Sequence, residues 1–158
     1  MLDCRIDTNP VMNNTALFTP HTEAAVLNGQ GPLTGLAHQT LAGTSLGTAQ
    51  TSLWQHHMTA PLVVPPHYHD TEETVVVLSG CLRFQIGPSA DDYVPGSDPL
   101  AGADVFDCGP DATCVIPARC LHGYEIIGIP ARVLIFMPDA QGMTRLPGGD
   151  PMPLPWHS

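Results

Sequence analysis

The sequence predicts an all-β domain, a sandwich or barrel of short strands, and three observations carry that reading. Pro and Gly number 17 and 15 in 158 residues, about a fifth of the chain against a usual ~12%. No hydrophobic run keeps a helical period beyond about two turns. Short β-branched or alternating runs recur at regular spacing between turn signals. The length suits one domain. A domain of this size hides about 70% of its unfolded surface, so its core needs no metal or disulfide staple.

Residues 1–48 are rich in Thr, Asn, Gly and Ala with weak periodicity, and read as an N-terminal arm with one or two short strands. From residue 49 the pattern sharpens, and residues 49–140 read as the barrel. Ser52–Met58 is the first clear strand, and Pro61–Pro66 (PLVVPP) reads as a Pro-punctuated turn. The β-branched run Glu73–Leu78, the Ser79-Gly80 turn signal and Cys81–Ile86 together read as a hairpin. The acidic, Gly/Pro-rich stretch Gly87–Ala103 reads as a long loop, a feature often tied to function. Further strands are expected at Asp104–Asp107, Thr113–Ile116, His122–Ile127 and Arg132–Met137. Residues 141–158 form a Pro-rich tail expected to lie against the surface or a partner.

The basic residues narrow the chemistry. The chain has five Arg, no Lys and eight His. Without lysine there is no Schiff base, no pyridoxal anchor and no P-loop. A net charge of −10 argues against a nucleic-acid partner, whose phosphates are bound by Lys and Arg. Five cysteines are an odd number, the first residues lack a secretory pattern, and no apolar run approaches the ~18 residues that span a bilayer. A reduced, cytoplasmic protein with no membrane contact is the expectation. Cys108, Cys114 and Cys120 lack zinc-knuckle spacing and read as small buried hydrophobes.

Histidine is the remaining candidate for chemistry. In His67-Tyr68-His69-Asp70-Thr71-Glu72-Glu73, alternation along an extended chain puts His67, His69 and Glu73 on the side of Val75 and Val77. Two imidazoles and a carboxylate on one apolar face suit a facial metal triad with open coordination positions. A solvated polar strand start with its glutamates at the surface is the other arrangement this spacing allows. Downstream, Pro117 and His122 let one more imidazole return to the same place across a turn.

These residues resemble the two motifs of small single-domain cupins of the quercetinase-like type. The first motif is a Gly, five residues, H-x-H, three or four residues, Glu, six residues and Gly. Here it is met by His67, His69, Glu73 and Gly80, with Pro61 in place of the leading Gly. The second is a Gly, five residues, P-x-G-x-x-H, three residues and Asn. Pro117 and His122 match it, while Asp111, Arg119 and Ile126 replace its Gly, Gly and Asn. The resemblance covers residues 50–140, and Gly128–Met143 resembles the closing strands of such proteins. It implies a double-stranded β-helix, the cupin jelly-roll barrel. It also implies one divalent transition metal (Fe, Mn, Ni, Zn or Cu) held by His67, His69, Glu73 and His122.

Several residues are expected around that metal. Trp54, His56 and Met58 share one strand face and Gln55 and His57 the other, and one of His56 or His57 is a candidate for substrate contact or proton transfer. Tyr124 has the parity of His122, and Arg119 precedes it in the turn; both are candidates for substrate binding. Leu82, Phe84 and Ile86 face the core, which sends Arg83 outward. The resemblance implies a metal-dependent enzyme for a small molecule, most concretely a dioxygenase of an enol, phenol or β-dicarbonyl compound. In that role Glu73 is either a standing ligand or the catalytic base. A non-oxidative isomerase, lyase or decarboxylase shares the first step, and a non-catalytic ligand-binding barrel is the third alternative. A homodimer is the expected assembly, with the arm as the exchanged element.

Overall fold

The computed structural model describes residues 19–156. Nine strands are present among them: β1 Val26–Asn28, β2 Leu36–Ala42, β3 Ser52–Met58, β4 Val63–His69, β5 Glu73–Ser89, β6 Asp104–Cys108, β7 Thr113–Ile116, β8 Cys120–Met137 and β9 Thr144–Arg145. Three single-turn 3-10 segments are the only helical elements in this region. None of the described helices is long and apolar enough to cross a membrane. Cys4 lies outside the described residues; Cys81, Cys108, Cys114 and Cys120 are free thiols.

β5 and β8 are the spine. The C-terminal half of β8 lies between β3 (Trp54 opposite Ile135) and the start of β5 (Val75 opposite Ile135). Its N-terminal half lies between β4 (Val64 opposite Tyr124) and the end of β5 (Phe84 opposite Tyr124). The same two strands therefore belong to both faces of a jelly-roll barrel. β1, β2 and β7 extend one face, and β6 and β9 extend the other. Between the faces, Trp54, Met58, Val75, Val133 and Met137 pack with Leu82, Phe84, Tyr124 and Ile126 in one cluster.

The expected strand Ser52–Met58 is β3 and Thr113–Ile116 is β7, each with the bounds read from the sequence. Along β3, burial alternates as expected: Trp54, His56 and Met58 point in, and His57 points out. The hairpin expected over residues 73–86 is a single 17-residue strand instead. Gly80 bends it without reversing it. At φ +79, a Cβ there would lie 2.4 Å from the Gly128 carbonyl oxygen and 2.6 Å from Ala131. The two spine strands thus cross at a point only glycine tolerates. His122–Ile127 and Arg132–Met137 likewise merge into β8, across Gly128 and a cis Ile129-Pro130 bond. The Pro61–Pro66 turn is corrected as well. Val63–Pro66 belong to β4, where a register shift between Val64 and His67 accommodates the two prolines. β5 also runs on to Ser89, so the irregular stretch after it is shorter than the expected loop.

Candidate metal centre

His67 and His69 end β4, Glu73 opens β5, and His122 lies near the start of β8. The extended chain assumed from the sequence does not exist, since residues 70–72 turn between the two strands. The convergence survives because β4 and β5 both present their apolar faces to the barrel interior. Glu73 is 3% exposed and His122 1%. One ligand atom from each of the four residues lies within 4.8 Å of the others.

Each of these histidines is fixed through its second nitrogen. His67 Nδ1–H donates to Pro65 O at 2.8 Å, His69 Nδ1–H to Met143 O at 2.9 Å, and His122 Nδ1–H to Cys120 O at 2.9 Å. A carbonyl can only accept, so the proton of each neutral ring is on Nδ1 and Nε2 carries a lone pair. His122 Nε2 then faces Glu73 Oε2 at 3.0 Å, and neither atom has a hydrogen-bond partner. His69 Nε2 is 3.7 Å from Glu73 Oε1. A cation held among these buried groups would satisfy them, because an unpaired buried acceptor or charge is costly.

The electrostatics agree. Burial lowers the His67 imidazole well below its ordinary value, helped by His122 and His69. Burial also lowers His69, against the pull of Glu73. For Glu73, burial alone would raise the carboxyl; His69, His122 and His67 together hold it far below the usual carboxylate range. Neutral imidazoles beside an ionised carboxylate are the protonation states that ligate a divalent transition metal. The three-His, one-Glu set fits such a metal and does not select among Fe, Mn, Ni, Zn and Cu.

Beside the cluster lies a cavity with about 30 Å³ of free space, lined by His67, His69 and Glu73 and by Trp54, His56, Tyr124, Leu154 and Trp156. Two of the expected contact residues, His56 and Tyr124, are therefore on this wall. Arg119 is not among the lining residues. Its guanidinium pairs with Asp91 (3.0 Å) and Asp70 (3.2 Å) and lies 5.2 Å from the Tyr68 ring centroid. Its backbone N–H donates to His69 O at 2.8 Å, so the residue tethers the end of β4. Asp111 (φ 64) and Arg119 (φ 61) are the described non-Gly residues in the left-handed region, at the two places where the cupin motif has Gly. The motif's backbone is kept without its glycines.

Sequence reasoning missed three residues here. His38 on β2 is 0% exposed and lies 3.0 Å from His56. Thr40 bonds the other side of the His38 ring. Trp156, from the tail, stacks parallel on His38 at 4.2 Å. The parity of His38 with Leu36 was the available signal for the first. Nothing local marks Trp156.

A jelly-roll barrel of this topology, with His67, His69, Glu73 and His122 gathered inside it, is a fold of the cupin type. No family model matches the chain, and no curated protein matches it in sequence. Solved structures do. The polyketide cyclase RemF from Streptomyces resistomycificus aligns over 83% of this chain and 84% of its own, at 18% identity and TM-score 0.58. A deletion mutant of Bacillus subtilis oxalate decarboxylase OxdC aligns over 84% of this chain at 12% identity and TM-score 0.64; the match spans 33% of that longer protein. A cupin superfamily protein from Desulfitobacterium hafniense aligns over 66% of this chain and 77% of its own, at 12% identity and TM-score 0.50. At these identities the shared property is the fold.

Proposed function

We propose that this chain is a metal-dependent enzyme acting on a small oxygenated organic compound, such as an enol, phenol or β-dicarbonyl. The observation that carries the reading is the facing of His122 Nε2 and Glu73 Oε2, two buried polar atoms 3.0 Å apart, neither with a hydrogen-bond partner. A bound divalent metal supplies Lewis acidity and a template for a substrate oxygen. His67, His69 and His122 hold it through Nε2, and the ionised Glu73 either completes the set or accepts the substrate proton. The aromatic and apolar wall lowers the local polarity, which strengthens the polar interactions inside. Burial, with Glu73 nearby, keeps the Tyr124 phenol protonated, so it acts as a neutral contact for substrate. Arg119, already paired at the surface, is not needed for the chemistry.

Dioxygenation is the first reaction considered. A non-oxidative isomerisation, ring closure or decarboxylation shares the same proton abstraction. It is supported by the occurrence of this fold in a polyketide cyclase and an oxalate decarboxylase. Free space of about 30 Å³ holds a water but no organic substrate. Binding therefore requires the cavity to widen, and its edge at residues 152–156 is tied to β9 by the Arg145–Pro151 bridge and by Met152 N–H donating to Thr144 O. A panel of phenols, β-diketones and small carboxylic acids, followed by oxygen electrode and product analysis, tests the proposal. Chelator-sensitive turnover restored by one divalent metal supports it; oxygen uptake selects dioxygenation, and its absence selects the non-oxidative reaction. Turnover indifferent to chelation refutes it, and metal binding without any turnover points to the binding module.

A further inference from the structure

The three metal-facing histidines are tied to carbonyls, and the other buried pair is joined through side chains. His38 Nδ1 lies 3.0 Å from His56 Nε2, and His38 Nε2 lies 2.9 Å from Thr40 Oγ1. His56 lines the cavity beside the cluster, and its Nδ1 is buried without a hydrogen-bond partner. At the other end, Thr40 is half-buried and lines an open cleft of about 270 Å³ with Ser45 and Gln141.

We propose that Thr40, His38 and His56 form a proton relay between that open cleft and the cavity beside Glu73. Every partner in this chain can both donate and accept, so two arrangements satisfy the same distances. In the first, Thr40 Oγ1–H donates to His38 Nε2, His38 Nδ1–H donates to His56 Nε2, and His56 presents Nδ1–H to the cavity. In the second, His56 Nε2–H donates to His38 Nδ1, His38 Nε2–H donates to Thr40 Oγ1, and His56 presents a bare Nδ1. Passing from first to second, His56 Nδ1 gives its proton to a basic group in the cavity. The His38 Nδ1 proton moves to His56 Nε2, the Thr40 proton moves to His38 Nε2, and Thr40 Oγ1 takes one proton from water. One proton enters the cavity and all three side chains end neutral. The reverse sequence carries one out. His56 is then the group that meets substrate, while Thr40 and His38 act through it. The relay relies on the proposed function only for the reaction it serves.

The test is histidine ¹⁵N NMR on the full metal-free chain, reading which nitrogen of each ring carries the proton. The wild type should show His38 and His56 averaged between both tautomers, with the two rings changing together. His67, His69 and His122, tied to carbonyls, should each keep a standing Nδ1–H. Thr40→Val removes the hydroxyl that His38 Nε2 bonds. With that exchange partner gone, the coupled averaging of the two rings should stop and each should settle in one tautomer. Thr40→Ser should restore the averaging. An unaltered His56 tautomer in Thr40→Val refutes the relay, even if stability falls, since a purely structural hydrogen bond predicts only the stability loss. If Thr40→Val fails to fold, wild type and Thr40→Ser decide: a single fixed His56 tautomer in either one refutes the relay. Because no metal is present, these outcomes are independent of whether the metal reading holds.

Discussion

Two groups of histidines border one cavity, and they differ in what holds their second nitrogen. His67, His69 and His122 donate to the carbonyls of Pro65, Met143 and Cys120, which can only accept. His38 and His56 bond each other and Thr40, groups that can reverse roles. The first arrangement fixes a lone pair toward Glu73 and suits ligation, as outer partners that orient ligating imidazoles generally do. The second leaves the tautomer undecided and suits proton movement. A ring's chemistry is thus decided one bond behind the atom that performs it.

The largest expected effect removes both groups together. Gly80→Ala places a Cβ against the Gly128 carbonyl at φ +79, where strain and overpacking combine. A loss of about 3 kcal/mol or more should appear in urea denaturation, and neither histidine group should keep its native NMR signature.

His122→Ala separates them. It removes one ligand and should weaken divalent-metal affinity by about 100-fold or more, read by metal titration. The heat stabilisation that added metal gives the parent should vanish with it. The His38–His56 tautomer signals should persist.

The pH dependence addresses the second group. Burial lowers the His56 imidazole from 6.5 to about 4, against a smaller upward pull from Glu73. Unfolded His56 therefore takes up a proton near pH 6.5 while folded His56 does not until near pH 4. Its stabilisation is present above pH 6.5 and is lost as pH falls through that window. Between pH 7 and 5 this share is about 2 kcal/mol. Denaturation of metal-free protein should show a pH slope that His56→Gln reduces by that amount. His67 and His69 act in the same direction and leave a residual slope.

The smallest effect is at Arg119. Arg119→Gly relieves a left-handed backbone but gives up exposed ion pairs with Asp91 and Asp70, which contribute little. Its melting temperature should stay within about 3 °C of the parent's, with metal binding retained. A large loss of substrate affinity in this variant would restore Arg119 as a substrate contact.

The metal-facing group was legible in the sequence because its residues lie close together on strand ends. There period-2 alternation marks the inward face, and the H-x-H…Glu spacing is distinctive. β3 and β7 were legible for the same reason, alternation bounded by turn signals. The merged strands were not, because Gly80 and the Gly128–Pro130 segment look alike whether the chain bends or reverses. Only the pairing of β5 with β8 along their whole length decides it. The second group was hidden by distance. His38 and Thr40 lie on β2, in a segment read only as an arm, and Trp156 comes from the far end of the chain. Met143 O, which fixes His69, is a backbone atom that no side-chain motif encodes.

The account rests most directly on the divalent metal that His67, His69, Glu73 and His122 would hold. Elemental analysis of the purified protein, before and after chelation and refilling, measures it. The expected result is one divalent transition metal per chain, absent from His67→Ala. A parent that neither carries nor takes up metal, or a His67→Ala variant that retains it in full, would contradict the account.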